Sequence, residues 1–306
     1  MSANLSTEDI DNILKIFKRR KVFWELMIGT VQASPDLNSS PIVSVLLDGD
    51  KTPINAQMIA FGGDGSSGSR VYVAFVPPTG YFIVGKANGA TSQVDTFTAS
   101  DTWTKPIGAA RVKVELIGGG GGGAGAAAAA AGQHSMGAGG GGGTYTCITY
   151  DASAVSNSAA IVIGAGGTGG VGALSGATGG TTDFDSAFQV ANGGGGGAAR
   201  GAEATSFGCL GGFGAFTPGT FDLQIPGQTG ESPWGDATLC ISGGGGNSYM
   251  GRGGQGFASG AAGASNAGRD GSGYGAGGGG AQVNAGGSQV NGGNGASGVA
   301  IITTYF

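Results

Sequence analysis

Residues that could support acid–base, nucleophilic or metal chemistry are few and widely spaced in this chain. The lone histidine, His134, lies between glycine runs and has no acidic or cysteine neighbour with which to form a triad or a metal site. The closest acidic pair of the glycine-rich half, Asp183 and Asp185, is typical of a solvated strand edge. Asp48-Gly-Asp50 lacks the terminal Glu of a calcium loop and predicts a turn. We therefore expect no catalytic residue.

Cysteine and glycine spacings define no cofactor site either. Cys147, Cys209 and Cys240 are far apart and odd in number, which argues against a disulfide framework and against zinc. Matches to the dinucleotide-binding pattern Gly-x-Gly-x-x-Gly are numerous, but they arise by chance in so glycine-rich a chain, and none opens a long helical pattern after a strand. We expect neither a metal nor a cofactor.

Glycine divides the chain into two parts. Of the 71 glycines in 306 residues, ten lie in residues 1–117 and 61 in residues 118–306. They come in runs with only nine prolines in the whole chain, which excludes collagen. A flexible linker remains an alternative. The apolar strings at 159–163 and 298–306 favour an ordered domain instead.

The charge balance excludes two classes of partner. The formal net charge is −5 and charged residues are sparse, so the chain has no basic surface for nucleic acid and no polybasic surface for anionic lipid. It also has no apolar run of 18 residues and no signal-like N-terminus, which predicts a soluble protein, made in the cytoplasm, without membrane insertion.

The first 21 residues predict a short amphipathic helix that acts as an anchor. Ser6 and Asp9 have the spacing of a capping box, and an apolar stripe follows at helical spacing. So short a helix cannot stand alone in water, so we expect its stripe to dock on another surface or on further copies, giving a homotrimer. The stripe consists of Ile10, Ile13, Leu14 and Phe17.

Residues 22–89 predict a small OB-like β-barrel. Five short segments with a period of two are separated by turn residues, and five strands in so short a stretch suit a Greek-key barrel. Binding of nucleic acid or sugar by such a barrel needs exposed aromatics beside basic residues, and Arg70 and Lys86 are too few, so we interpret the barrel as a scaffold. The predicted strands are 22–33, 42–47, 56–60, 70–75 and 81–85.

After a linker at 90–95, residues 96–306 predict a glycine-rich domain closed by real strands. In segment 111–117 the side chains of Val112, Val114 and Leu116 face one way, and 299–306 is its expected partner. Between them, glycine runs predict polyglycine-II-like extended segments whose backbones satisfy each other's hydrogen bonds. The fold class is thus mainly β: a short helix, a small barrel, and a domain of β-strands and extended glycine segments.

Aromatic side chains between the glycine runs are the candidate recognition residues. One interpretation is that they cap the glycine core locally. The other is a contact surface, because aromatics on rigid loops supply contact area at low entropic cost and stack on flat ligands such as sugars. The candidate receptor-contact residues are Phe213, Phe216, Trp234, Tyr249 and Tyr274.

Three stretches of the second part resemble the glycine-rich domain of tail fibre, tail tip and minor tail proteins of tailed bacteriophages. They are FTASDTWTKPIG at 97–108, VKVELIGGGG at 112–121 and GVAII at 298–302. The first part, with LDGD at 47–50 and RVYVAFVPPTGYFIVG at 70–85, is similar to the small barrel that begins some virion proteins of phages infecting actinobacteria.

The resemblance implies a virion structural protein that attaches through its N-terminal helix and barrel to other tail or virion proteins. The glycine-rich domain would then face outward and contact a glycan or another envelope component of the bacterium. A capsid decoration or head-fibre protein without a receptor remains an alternative, as do an ice-binding protein and an envelope depolymerase. No binding residue can be transferred from the phage proteins, because the glycine runs here are longer and richer in alanine.

Overall fold

The described part of the chain is built almost entirely of β-strands and extended segments. A computed structural model describes residues 25–32, 42–47, 50–58, 70–76, 80–86, 92–236 and 238–306. Within these ranges the one helical element is a 3-10 turn, Ala152–Ala154. The mainly β fold class is confirmed. The predicted helix of residues 1–21, with Ile10, Ile13, Leu14 and Phe17, lies outside the described residues.

The chain divides into two compact units. The first comprises Met1–Gln93 with the short stretches Pro106–Ala110 and Tyr305–Phe306, and it contains a barrel. The second comprises Val94–Lys105 and Arg111–Thr304, and it contains the glycine runs.

Five strands of the first unit close into a barrel. Each strand is paired on both edges in the order β1-β2-β3-β5-β4, with β3 and β5 parallel and the other pairs antiparallel. Alternating apolar side chains fill it, among them Val45, Val71 and Val73. The strands are β1 (Glu25–Val31), β2 (Ile42–Leu47), β3 (Ile54–Met58), β4 (Arg70–Val76) and β5 (Gly80–Lys86).

A five-stranded sheet follows the barrel in sequence. The expected neighbours Arg111–Ile117 and Val299–Tyr305 lie side by side in it, and Val112, Val114 and Leu116 are buried together as predicted. The expected linker at 90–95 needs correction, because Ser92–Phe97 is an edge strand, as its β-favouring Val94, Thr96 and Phe97 allow. The strand order is Leu223–Ile225, Tyr145–Asp151, Arg111–Ile117, Val299–Tyr305 and Ser92–Phe97.

Smaller sheets complete the strand inventory. A four-stranded sheet buries Trp103 against Phe184, with ring centroids 6.0 Å apart. Its strands, in order, are Gln189–Ala191, Thr182–Phe184, Ser158–Val162 and Asp101–Thr104. A second four-stranded sheet contains Phe207–Gly208, Trp234–Gly235, Cys240–Ile241 and Ala258–Ser259. The remaining sheets pair Met250–Arg252 with Ser272–Tyr274, and Ser265–Asn266, Gln282–Val283 and Ser135–Met136 in that order.

The glycine runs form straight segments whose backbone groups point outward with a period of three. In segment 118–126, the N–H groups of Gly118, Gly121 and Ala124 all donate to segment 138–144. The residues that follow each of these donate to a second neighbour, and the next residues to a third. A threefold extended helix, the conformation predicted for the glycine runs, requires this periodicity.

Segment 118–126 is therefore surrounded by six neighbours. Three accept its N–H groups and three donate to its carbonyl groups. The accepting segments are 138–144, 174–180 and 290–296. The donating segments are 167–170, 194–197 and 278–281.

Two further segments, 137–144 and 275–281, each have six bonded neighbours of the same kind. These two and 118–126 contact one another, and all three are buried along their length. We call them the three central segments. The outer segments surround them: 164–170, 174–180, 192–198, 210–216, 227–231, 243–247, 253–256, 267–271 and 290–298.

Side chains are excluded from this core by backbone atoms. A Cβ added to Gly121 would lie 2.0 Å from the carbonyl oxygen of Gly195, and one added to Gly140 would lie 2.2 Å from that of Gly121. The neighbouring atoms are main chain, so they cannot move aside as a flexible side chain would. Close backbone approach thus requires glycine at 118–123, 139–143 and 277–280 of the central segments.

The bundle has two different ends. At the sheet end, segments 118–126, 137–144 and 290–298 continue directly into strands of the five-stranded sheet. At the opposite loop end, the segments are connected by a tight turn at 171–173 and by five longer loops. These loops span 127–136, 199–209, 232–242, 257–267 and 282–289.

We predict that Gly121→Ala destabilises the glycine-rich unit by more than about 3 kcal/mol, because its Cβ meets a backbone carbonyl that cannot retreat. The matched control is Gly201→Ala, since a Cβ there has nothing within 4 Å. Urea unfolding of both variants measures the difference. Equal midpoints for the two variants would contradict a core of packed backbone.

Candidate functional site

His134 is an enclosed ionisable side chain at the loop end. It is wholly buried, and its ring stacks on Phe207 at 5.2 Å and 9°. Neither ring nitrogen has a hydrogen-bond partner among the described residues. The Arg200 guanidinium lies 5.4 Å from the Phe207 ring centroid and pairs with Glu203 at 2.8 Å. The imidazole ring is therefore packed in the interior of the loop end, against Phe207.

The acidic pair Asp183 and Asp185 shapes a hairpin turn. Asp183 Oδ1 accepts a hydrogen bond from the Ala187 N–H at 2.6 Å, and Asp185 Oδ2 accepts one from the Ser156 hydroxyl at 2.7 Å. Asp185, Ser186 and Ala187 all have positive φ and form a left-handed turn. The two hydrogen bonds of the carboxylates hold this turn in place. In the described residues no three His, Cys, Asp or Glu side chains converge as metal ligands.

The five candidate contact residues do not form one patch. Tyr249 and Tyr274 lie at the sheet end, where Tyr249 meets Tyr145 at 4.4 Å and Tyr274 packs on the cluster around Ile117. Trp234 lies at the loop end in a small sheet. Phe213 and Phe216 belong to outer segment 210–216. Tyr274 is half-buried, whereas the other four candidates are exposed.

Outer segment 210–216 carries an exposed row of large apolar side chains that includes a residue absent from the candidates. Leu210, Phe213 and Phe216 are 69%, 72% and 61% exposed and recur every third residue. On a threefold helix that spacing places all three on one outer face. The spacing LGGFGAF is visible in the sequence, but it could be interpreted only once the helix period was known. We call these three side chains the apolar row.

The neighbouring segments hold the backbone of the apolar row in position. The carbonyl groups of Leu210 and Phe213 accept hydrogen bonds from the N–H groups of Ala198 at 3.2 Å and Gly195 at 2.9 Å. The Phe216 carbonyl accepts one from Asn192 Nδ2 at 3.0 Å. The row is therefore mounted on a rigid support at a fixed spacing.

Two hydroxyl groups flank the row on the other side. Ser232 Oγ accepts from the Gly211 N–H and Thr229 Oγ1 from the Gly214 N–H, both at 3.3 Å. Each hydroxyl also retains a proton that it can donate. No charged residue occurs from 204 to 221, so the row itself carries no charge. On the side of the hydroxyls, exposed Glu231 precedes Ser232, and its Oε2 accepts a hydrogen bond from the Gly244 N–H at 3.1 Å.

The fold and this surface define a structural domain with a backbone core and a side-chain exterior. A family model described as a glycine-rich domain matches residues 91–305. The chain belongs to this glycine-rich domain family. A comparison with curated proteins finds no match to the chain. Among the described residues, no helix has the length and apolar character needed to cross a membrane.

We predict that His134→Ala lowers the free energy of unfolding by about 2–4 kcal/mol, because it leaves a cavity beside Phe207. His134→Phe should stay within about 1 kcal/mol of the parent protein, since it keeps the ring stack and removes two unpaired nitrogens. Chemical denaturation provides both values. A larger loss for the phenylalanine variant than for the alanine variant would show that the imidazole nitrogens have a partner.

We also predict a pH dependence from Cys240. Burial, with a smaller contribution from Asp236, raises the pKa of its thiol to about 11. The thiol therefore ionises more readily in the unfolded chain, and its contribution to stability is complete below pH 9 and is lost as the pH rises toward 11. Between pH 8 and 11, the melting temperature of Cys240→Ala should fall less than that of the parent protein. An equal fall in melting temperature for the two proteins would show that Cys240 does not cause the pH dependence.

Proposed function

We propose that the protein is a structural protein of a bacteriophage tail tip or tail fibre, made in the host cytoplasm and incorporated into the virion. In this proposal the N-terminal helix and the OB-like barrel anchor the chain to other tail proteins, as a homotrimer. The glycine-rich domain contacts a glycan or another component of the bacterial surface. The protein has no enzymatic role in this assignment.

The single observation that supports the proposal best is the closed backbone core of the bundle. Each central segment is bonded to six neighbours, so stability comes from main-chain hydrogen bonds and not from the side chains of the periphery. Outer positions and loops are then available for contacts with other molecules. A rigid scaffold with an adaptable exterior suits a particle component that must meet a cell surface.

The arrangement of the two chain ends of the glycine-rich unit also supports an anchored domain. Strands Ser92–Phe97 and Val299–Tyr305 belong to one sheet, which lies at the sheet end of the bundle. The first and last strands of this sheet therefore lie at the end of the bundle opposite the loops. The resemblance of 97–108 and 112–121 to phage tail proteins favours the same assignment.

A gold-labelled antibody against residues 95–306, applied to intact virions, tests the location. We expect label at the tail end. Label over the head would overturn the tail assignment and favour the alternative, a capsid decoration or head-fibre protein without a receptor. Virions of a phage lacking this gene product provide the control for non-specific labelling.

A further inference from the structure

We propose that the apolar row Leu210, Phe213 and Phe216, together with the hydroxyls of Thr229 and Ser232, is a binding strip for a neutral, extended β-linked glycan. This inference rests on the proposed host contact and specifies where on the glycine-rich unit it takes place. The site is a side face of the bundle, distinct from the loop end.

An outer segment of this bundle does not need apolar side chains on its outward face. Segment 290–298 has the same period of three, yet its exposed residues are Asn291, Asn294 and Ser297. Of these two segments, only 210–216 carries an apolar row. The packing of the bundle therefore does not require one. Three large apolar side chains, each more than half exposed, indicate a surface that another molecule covers.

The spacing of the row indicates a ligand with a linear repeat. A threefold extended helix rises about 3.1 Å per residue, so successive row residues lie roughly 9 Å apart along a straight line. A β-linked glycan in its extended form repeats its ring orientation every second sugar, over a distance of the same order. Alternate sugars could then place the apolar face of their rings on Phe213 and Phe216.

The polar groups of the strip complement a carbohydrate and disfavour a charged partner. Thr229 Oγ1 and Ser232 Oγ are fixed by the N–H groups of Gly214 and Gly211, and both can donate a hydrogen bond to a sugar oxygen. The stretch from 204 to 221 has no charged residue, Arg200 is paired with Glu203, and Glu231 beside Ser232 would repel an acidic glycan. A neutral chain of hydroxyl-rich rings satisfies both the apolar and the polar halves of the strip.

The test measures binding of defined hexasaccharides to the full chain by calorimetry. Chitohexaose and cellohexaose are the neutral β-linked probes, and a hexamer of β-linked mannuronate is the acidic one. We expect at least one neutral probe to bind and the acidic probe not to bind. Phe213→Ala and Phe216→Ala should each weaken binding about fivefold, and the double variant more than tenfold, because each removes one ring contact.

Leu174→Ala is the matched control, since it removes an exposed apolar side chain at the loop end and should leave the affinity unchanged. Phe213 and Phe216 are both exposed, so the melting temperatures of their alanine variants should equal that of the parent protein. Failure of both neutral probes to bind at millimolar concentration would overturn the proposal. Binding that Leu174→Ala abolishes and the row variants do not would also overturn it and move the site to the loop end.

A second copy of the chain is the competing occupant of the apolar row. If Phe213→Ala and Phe216→Ala change the molar mass in light scattering from oligomer to monomer, the row is a subunit interface and the glycan proposal is wrong. These outcomes are independent of antibody labelling on virions. Tail labelling with no glycan binding would leave the proposed function standing and reject only the strip.

Discussion

The close approach of main chains in the three central segments is the constraint on which the glycine-rich unit depends. Carbonyl oxygens lie where a Cβ would be, so no residue larger than glycine fits at Gly121, Gly140 or Gly278. Fixing glycine costs more conformational entropy than fixing any other residue. The hydrogen bonds that each segment makes to six neighbours offset that cost, because almost every buried N–H and C=O finds a partner. One isolated segment of this kind would be solvated coil.

A bundle of this type could add further segments at its surface, and side chains of neighbouring segments prevent this. Outward N–H groups that have no backbone acceptor are bonded by hydroxyl, amide or carboxylate oxygens instead: Ser232 on Gly211, Asn294 on Gly169, and Asp270 on Asn294. Such bonds occupy the positions where a further segment would dock. The Ser, Thr, Asn and Asp residues between glycines are therefore part of the packing scheme, since they limit the growth of the bundle.

Much of the strand structure could be predicted from the sequence, because alternation of apolar residues needs no tertiary information. The strand Ile42–Leu47 has the predicted bounds, and the predicted neighbours Arg111–Ile117 and Val299–Tyr305 do lie together. The sequence could not identify the central segments, because a run at 139–143 looks like one at 193–197 and only the register separates centre from periphery. For the same reason it gave no sign that Phe207 would be buried on His134, or that Tyr274 would be half-buried at the sheet end. The linker expected at 90–95 was wrong in part, since the polar residues Ser92, Gln93 and Asp95 give this edge strand a composition like that of a linker.

A backbone core separates the residues that hold the fold from those that can recognise a partner. In an ordinary β-sandwich, alternate side chains of each strand fill the core. Each surface residue therefore has neighbours in the strand that cannot change without disturbing the packing. In this bundle an outer segment contributes one residue in three to its outward face, and the other two are fixed by glycine-sized space. Leu210, Phe213 and Phe216 on one segment and Asn291, Asn294 and Ser297 on another occupy equivalent positions with opposite chemistry. The outward position of each repeat can therefore vary without loss of the core.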